Sequence, residues 1–278
     1  LKIDLEPAAT AKAKAEFDKI HVPLVAARDR FEKEDLPKRL QAWLQSFKDK
    51  PLARWSIVDA VSATGKVPLK KLEDGSLLTT GKEERSDTYT FVIHTYQRGI
   101  TAIRLDALAD ASLPKKGPGR GPDGNFALTE ATMTATPLVG KGKSMPVKFR
   151  AVKATFEQPG HPLAGTLDTD KKTGWSIAGA EGKDHAAVYE IEGDLGFAGG
   201  TVLTLTLKFE SDGYAIGRPR LAITTTPRPA TLDGKAALQR GHELRALLEA
   251  EQGKLTPKNR DGVVRWFRML DADTDKVF

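Results

Sequence analysis

The chain has 278 residues, of which 43 are basic and 37 acidic, so its formal net charge is +6, and it contains no cysteine. The lack of cysteine excludes disulfides, thiolate metal sites, cysteine nucleophiles and c-type haem attachment within these residues. No stretch approaches the roughly 18 apolar residues of a membrane-spanning helix, so we expect no membrane insertion. Residues 1–6 show neither an initiator methionine nor a signal-peptide profile, so we expect a piece cut from a longer protein.

The positive charge is spread along the chain. Basic and acidic residues alternate, as in Arg28–Glu34, and the densest basic clusters are as short as Lys141–Lys143 and Arg218–Arg220. A nucleic-acid-binding surface would need a continuous basic face with interleaved aromatic residues. We therefore expect a solvated surface of mixed charge and no nucleic-acid partner.

Residues 1–50 are predicted to form an N-terminal helical hairpin. Their apolar positions recur at alternating steps of three and four residues, which is the seam of an antiparallel hairpin or coiled coil. These positions are Phe17, Ile20, Leu24, Ala27 and Phe31. Pro23 should kink or interrupt the first helix, and Asp35–Pro37 supplies a cap and a first-turn proline for the second.

Residues 51–230 follow the period-two alternation of β-strands, as in 87–94 and 201–209. Turn pairs such as Asp74–Gly75 and Asp212–Gly213 separate the runs. No helical segment intervenes, which excludes a βαβ fold. The predicted fold class is therefore mainly β with helical flanks: an antiparallel jelly-roll β-sandwich braced by N- and C-terminal helical hairpins.

Residues 231–278 return to helical spacing. Leu244 and Leu248 belong to one apolar stripe, and Thr256–Pro257 marks the start of a further helix. An isolated amphipathic hairpin buries its own stripe poorly. We therefore expect these C-terminal helices to pack with the N-terminal hairpin, which makes the sandwich an insertion between helices.

Catalytic motifs are missing from the sequence, which has no nucleophile elbow, phosphate loop, zinc-binding His-Glu-x-x-His or dinucleotide-binding glycine pattern. The five histidines are scattered singly. The glycine-rich stretch 117–122 contains two prolines, which remove amide donors that a phosphate would need. We predict that the chain is not an enzyme.

A sugar-binding sandwich needs an aromatic platform and polar groups that match hydroxyls. The candidate ligand-binding residues are Arg120, Asn125, His161, Trp175, His185, Arg218 and Arg220, with Tyr214 as a second possible platform. Structural alternatives stand beside them. Arg120 and Asn125 can bond the backbone of their own loop, Trp175 can fill the core, and His185 can simply open a strand.

The turn over residues 165–175 places two carboxylates and two hydroxyls before Trp175. Calcium favours carboxylate and carbonyl oxygens on a bent loop, so Asp168 and Thr173, completed by a glutamate from a neighbouring strand, could form a structural calcium site. An Asx-turn that leads Trp175 into a core strand is favoured about equally.

Several motifs resemble a module of large planctomycete proteins, where it lies between two uncharacterised domains and behind a cytochrome c domain. They are Asp87–Tyr89, Gly117–Arg120, Gly124–Glu130, Thr173–Trp175, His185–Glu190 and Ile216–Leu221. The resemblance spans most of residues 52–226. It implies an extracytoplasmic location, periplasmic or at the cell surface, and other domains of the parent chain as partners. It implies no haem in this piece and names no reaction.

The second half also resembles a galactose-binding-like (discoidin) sandwich. Asp168, Thr173 and Trp175 match its opening turn, and Thr129–Glu130 matches its closing strand. The resemblance implies a structural calcium ion. Its ligands would be Glu130, Asp168, Asp170 and Thr173. The two segments occur here in reversed order, which implies a circular permutation or a coincidence.

Three functional hypotheses follow. The first is a non-catalytic carbohydrate-binding or adhesion module of a larger extracytoplasmic protein. The second is a spacer that positions the cytochrome and C-terminal domains, and it predicts that Phe17, Leu24 and Phe31 are exposed for a partner. The third and least favoured is a hydrolase that uses Glu130 and Asp168 as paired carboxylates.

Overall fold

The structure is a computed structural model that describes residues 7–48, 54–82, 84–168, 170–233, 236–238, 240–271 and 274. The chain forms two compact units, one comprising residues 1–51 and 251–278 and the other residues 52–250. Both chain ends thus contribute to one helical unit. The second unit ends at residue 250, whereas the predicted β-domain ends at residue 230.

Fifteen strands and four α-helices are described. The helices are α1 Pro7–Arg30, α2 Leu36–Lys48, α3 Arg240–Ala250 and α4 Arg260–Arg268. The strands are β1 Trp55–Ile57, β2 Ala60–Thr64, β3 Leu69–Lys71, β4 Leu77–Thr79, β5 Asp87–Thr95, β6 Ile100–Ala107, β7 Ala127–Leu128, β8 Glu130–Pro137, β9 Met145–Val147, β10 Phe149–Ala154, β11 Trp175–Ser176, β12 His185–Leu195, β13 Thr201–Phe209, β14 Pro219–Thr224 and β15 Ala236–Leu238.

The strands form two larger sheets and two ribbons. One sheet has six strands in the order β10-β12-β6-β14-β1-β15, and the other has five in the order β2-β5-β13-β8-β9. Strands β3 and β4 form one ribbon and β7 and β11 the other. Neighbouring strands are antiparallel, with β1 and β15 as the parallel exception among the described pairs. The mainly β, antiparallel prediction is confirmed.

Both large sheets contribute to one hydrophobic core, as in a β-sandwich. Along β13, Leu205 and Leu207 are buried while Thr206 between them is more exposed. Leu205 lies in register between Phe91 of β5 and Met133 of β8. Tyr189 from the six-stranded sheet belongs to the same core. Period-two alternation therefore predicts which face of the five-stranded sheet is buried.

Strand β6 departs from simple alternation, because nearly all of its residues are buried. Ile103 faces the main core, whereas Ala102 packs with Trp55 in a second, smaller cluster on the opposite face. The segment that follows β14 covers that face, where the Ala230 N–H donates to the Glu190 carboxylate at 2.8 Å. A central strand covered on both faces needs apolar residues at nearly every position.

In the helical unit, α1 leads into α2 through a π-helical turn at Phe31–Asp35. The predicted reversal between two N-terminal helices is therefore wrong, since the described chain stays helical across this junction. The Leu36 N–H donates to the Phe31 carbonyl five residues earlier. This wider turn makes room for the ring of Pro37, which would otherwise clash with the preceding turn of an α-helix.

Helix α4 and the segment that follows it are tied to the N-terminal helices by ion pairs. Arg39 contacts Asp271 at 2.9 Å, and the Arg260 guanidinium donates to the Glu32 carboxylate. Helix α3, in contrast, belongs to the sandwich unit. Among the described helices, none is both long and apolar enough to cross a membrane.

Candidate ligand-binding site

The candidate site is built around Arg218, which lies just before β14. Its guanidinium contacts the Asp74 carboxylate at 2.9 Å and the Asp110 carboxylate at 3.2 Å. Asp74 lies in the turn between β3 and β4, and Asp110 follows β6, so one side chain joins two separate segments. The hydroxyls of Ser76 and Ser112 donate to Asp74 and Asp110, respectively. Because hydrogen bonds between charged groups are the stronger kind, this clamp fixes the ribbon against the loop.

Both clamped carboxylates are stabilised as anions. Hydrogen bonds from the Ser112 side chain and backbone lower the pKa of Asp110, and Arg218 lowers it further. Burial acts to raise the pKa of Asp74, but hydrogen bonds from Ser76 and the charge of Arg218 outweigh burial and leave this pKa below its usual value. The clamp is therefore fully charged at neutral pH.

The clamp continues into a second set of ion pairs on β6 and β14. Arg220 contacts Asp106 at 2.9 Å and Asp74 at 3.5 Å, and Arg104 contacts Asp106 at 2.6 Å. Asp106 is 1% exposed, and its ion pairs with the two arginines offset the cost of burying its carboxylate. Arg218 and Arg220 are thus brought together as two members of one network, and their charges are balanced by aspartates.

Arg120 is positioned by the glycine- and proline-rich loop between β6 and β7. A Cβ on Gly119 would lie 1.9 Å from the Asn125 carbonyl oxygen, so glycine is required for this close approach. Gly124 adopts a positive φ of 86° in the same loop. The Arg120 backbone N–H donates to the Ala215 carbonyl at 2.9 Å. These contacts hold the Arg120 backbone rigidly on the sandwich.

A cleft of about 590 Å³ opens between the β3–β4 ribbon and the loop that Arg218 clamps to it. Its lining comprises Leu78, Thr79, Thr80, Gly81, Ser112, Leu113, Pro114 and Arg120. We refer to this cavity as the ribbon cleft. Its lining combines apolar side chains with the hydroxyls of Thr79, Thr80 and Ser112 and the guanidinium of Arg120. Its volume lies within the size range of small-ligand sites.

The other predicted ligand-binding residues of this region have structural partners. The Asn125 side-chain oxygen accepts hydrogen bonds from the N–H groups of Phe126 and Ile177. Trp175 is 0% exposed and its indole N–H donates to the Phe156 carbonyl at 2.8 Å. A fully buried ring has no face to offer a sugar, so the aromatic platform expected from Trp175 lies in the core instead. Tyr214 is half-buried.

The two histidines that were predicted to bind a ligand lie in different surroundings. His185 is buried, its Nε2 bonds the Ala180 carbonyl at 2.7 Å, and its Nδ1 contacts the Thr155 hydroxyl at 3.2 Å. Burial lowers the pKa of His185, against the raising effect of the bond to Ala180. This favours the strand-opening alternative. His161 lies in a turn in which its backbone N–H donates to the Gln158 carbonyl.

The residues of the predicted calcium site lie near one another but bond protein groups. Glu130 and Asp168 border a common surface cavity. The Lys208 ammonium contacts Glu130 at 2.8 Å, and the Thr173 hydroxyl lies 2.8 Å from an Asp168 oxygen. The Asp168 and Asp170 carboxylates each accept a backbone N–H two residues later. This is the Asx-turn alternative.

These contacts do not fit a calcium cage, because a cation at Glu130 would meet the ammonium of Lys208. Within the described residues, no three histidine or carboxylate side chains are arranged to hold a metal ion. The structure therefore offers no support for the calcium prediction.

The residues of the clamp and of the ribbon cleft that sequence reasoning missed are short polar side chains in turns. The sequence pattern predicts Asp74 only as a turn residue, and it predicts no role for Asp110, Ser112 or Thr80. A local signal did exist, since Asp74-x-Ser76 and Asp110-x-Ser112 are both Asx-type turns. Their convergence on Arg218, more than 100 positions further along the chain, has no local signature.

No family model matches the chain, and no curated protein matches it significantly.

Proposed function

We propose that the chain is a non-catalytic binding module and that its ligand is a glycan held in the ribbon cleft. The supporting observation is a preformed cavity whose two walls are joined by the charged clamp of Arg218, Asp74 and Asp110. A cavity that is rigid before binding loses little conformational freedom when it takes up a ligand. Hydroxyls of Thr80 and Ser112 and the guanidinium of Arg120 supply polar groups suited to sugar hydroxyls.

We also propose a jelly-roll connectivity of the galactose-binding-like kind, membership of a planctomycete multidomain protein and an extracytoplasmic location. The proposal assigns no reaction to the chain.

The experiment is binding of the purified chain to a panel of polysaccharides, with calcium and again with EGTA. We expect binding that survives EGTA and is lost in Thr80→Trp, because the new indole would fill the cleft. Val61→Trp is the matched control, since Val61 is exposed on β2 outside the cleft. Loss of binding in EGTA would instead support the predicted calcium site. A blank panel would refute glycan binding.

A second candidate function, an interdomain scaffold, is favoured by the surface of α1. Phe17, Ile20 and Leu24 are 58%, 69% and 63% exposed, whereas Phe31 is 8% exposed. The exposure predicted for Phe17 and Leu24 is therefore present and that of Phe31 is not. Their spacing of three and four residues matches the seam of a coiled coil. The proposed occupant is an amphipathic helix of a neighbouring domain in the parent chain.

The scaffold is tested by pull-down of the other domains of the parent protein with this chain. We expect Phe17→Ser combined with Leu24→Ser to abolish capture while leaving the free energy of unfolding within about 0.5 kcal/mol of wild type, because both side chains are exposed. Self-association of the wild type in light scattering would point to a second copy as the occupant.

A further inference from the structure

We infer that the ribbon cleft recognises an acidic glycan and that Arg120 receives its negative group. This inference rests on the proposed glycan-binding function and narrows it to one chemical class. It begins with Arg120, which is only 6% exposed although it carries a permanent positive charge. Its Nη2 donates to the Gly81 carbonyl at 3.0 Å. A guanidinium has five N–H donors, and within the described residues this carbonyl is the one side-chain hydrogen-bond partner of Arg120, so most of its donor capacity is unused.

The aspartates around the cleft are already neutralised by other arginines. Asp74 and Asp110 pair with Arg218, and Asp106 pairs with Arg104 and Arg220. Among the residues that the structure describes, no carboxylate lies within ion-pair distance of Arg120. The described lining of the cleft thus carries one charge, and that charge is positive.

A buried charge without a counter-charge is unfavourable because it has lost its water and gained no partner. The arginines nearby follow this rule, since each is matched by an aspartate. Arg120 departs from this rule among the described residues, and its side chain borders the ribbon cleft. A bound anionic group would supply the missing partner.

The shape of the guanidinium limits the kind of anion. Its planar fork forms paired hydrogen bonds with two oxygens of one group, as in a carboxylate or a sulfate ester. The hydroxyls of Thr80 and Ser112 line the same cavity and can bond the hydroxyls of the sugar ring. Uronic acids and sulfated sugars share this combination of an anionic group and neighbouring hydroxyls.

The inference is tested with pairs of polymers that differ only in charge. We would measure binding to polygalacturonate against its carboxyl-reduced form, and to dextran sulfate against dextran. Preference for polygalacturonate assigns a uronate, and preference for dextran sulfate assigns a sulfate ester. Equal binding within both pairs would overturn the acidic-glycan inference and leave glycan binding intact. Binding to no glycan at all would overturn both.

Variants link the preference to the cleft. Thr80 is exposed at the cavity, so Thr80→Glu should weaken binding of the acidic polymer about tenfold relative to Thr80→Gln, through repulsion of like charges. Arg120→Lys keeps the charge but loses the fork, and we expect weakened binding in protein shown by thermal melting to be folded.

Unspecific attraction to basic surface residues is the competing explanation. Lys141→Glu combined with Lys143→Glu changes an exposed hairpin outside the cleft. We expect this double variant to bind like wild type. If it abolished binding while Thr80→Glu did not, the inference would be refuted.

Discussion

Two arginines at the ribbon cleft show how one residue type takes different roles. Each guanidinium nitrogen of Arg218 has a partner. Its two terminal nitrogens pair with the carboxylates of Asp74 and Asp110, and its Nε donates to the Ser76 hydroxyl. Arg120 is more deeply buried and has a single carbonyl as its described side-chain partner. The difference lies in the surrounding carboxylates, because a guanidinium is always charged and its environment alone decides what it can bind.

The clamp makes a first prediction about stability. Arg218→Met removes the shared partner of Asp74 and Asp110, which leaves Asp110 without its ion pair to Arg218 and Asp74 with only its longer contact to Arg220 among the described ion pairs. We expect the free energy of unfolding in urea to fall by about 1–3 kcal/mol and glycan binding to be lost. Arg30→Met is the control, because Arg30 forms an exposed pair with Glu34 and should change stability by less than about 0.5 kcal/mol. Equal effects would contradict the clamp.

Gly119 provides a second prediction at the residue scale. Gly119→Ala would place a methyl group 1.9 Å from the Asn125 carbonyl oxygen, which is backbone and moves only with the whole loop. We expect a loss of more than about 2 kcal/mol in the free energy of unfolding, measured by urea denaturation. Wild-type stability in this variant would show that the loop is not rigid, and the preformed cleft would then lose its support.

At the scale of elements, a buried carboxylate of α3 bonds the end of β5 within the sandwich unit. Glu243 is 5% exposed and accepts hydrogen bonds from the Thr95 hydroxyl, the Tyr96 N–H and the Gln97 amide at 2.7–2.9 Å. Burial raises the pKa of Glu243, although these three donors act to lower it. The helix is thereby tied to the end of β5.

This anchor makes a third prediction. Glu243→Ala leaves three buried donors without their acceptor, so the free energy of unfolding should fall by about 2–4 kcal/mol. Because the native pKa is raised, the native state holds the proton more tightly than the unfolded state. The contribution of Glu243 is then fullest below about pH 4.5 and declines as the pH rises through the native pKa.

Urea titrations of wild type and Glu243→Gln at several pH values measure this dependence. We expect the stability of the wild type relative to the glutamine variant to increase between pH 7 and pH 4.5. An opposite slope would mean that the three hydrogen bonds outweigh burial.

At the scale of the whole molecule, the chain divides into two units that each have their own internal contacts. The sandwich unit contains the main core, the ribbon cleft and α3 within residues 52–250. The helical unit takes its helices from both ends of the chain. The binding candidate and the scaffold candidate therefore lie in different units.

This division makes a fourth prediction. A fragment of residues 52–250 should fold alone, because its core is formed by its own two sheets. We expect cooperative unfolding by circular dichroism and the same glycan preference as the full chain. A fragment without a cooperative transition would show that the ends of the chain are needed for the sandwich.

The sequence pattern determined the class of the fold, because period-two alternation directly reports which strand face is buried. It also predicted helices at both ends. It did not reveal the continuous helix at Phe31–Asp35, where Asp35–Pro37 has the local features of a helix start but Pro37 is accommodated by a π-helical turn. Local signals describe what a segment can do, and the surrounding contacts select among those possibilities.

The candidate site was decided by the tertiary structure. Arg120, Arg218 and Arg220 were identifiable as polar residues in turns and strands, but their partners lie far away in the chain. Asp74 and Gly81 reach them only when the β3–β4 ribbon folds against the sandwich. Sequence spacing carries no information on such contacts. Whether an arginine is neutralised or left to bind a ligand therefore depends on which carboxylates the fold brings beside it.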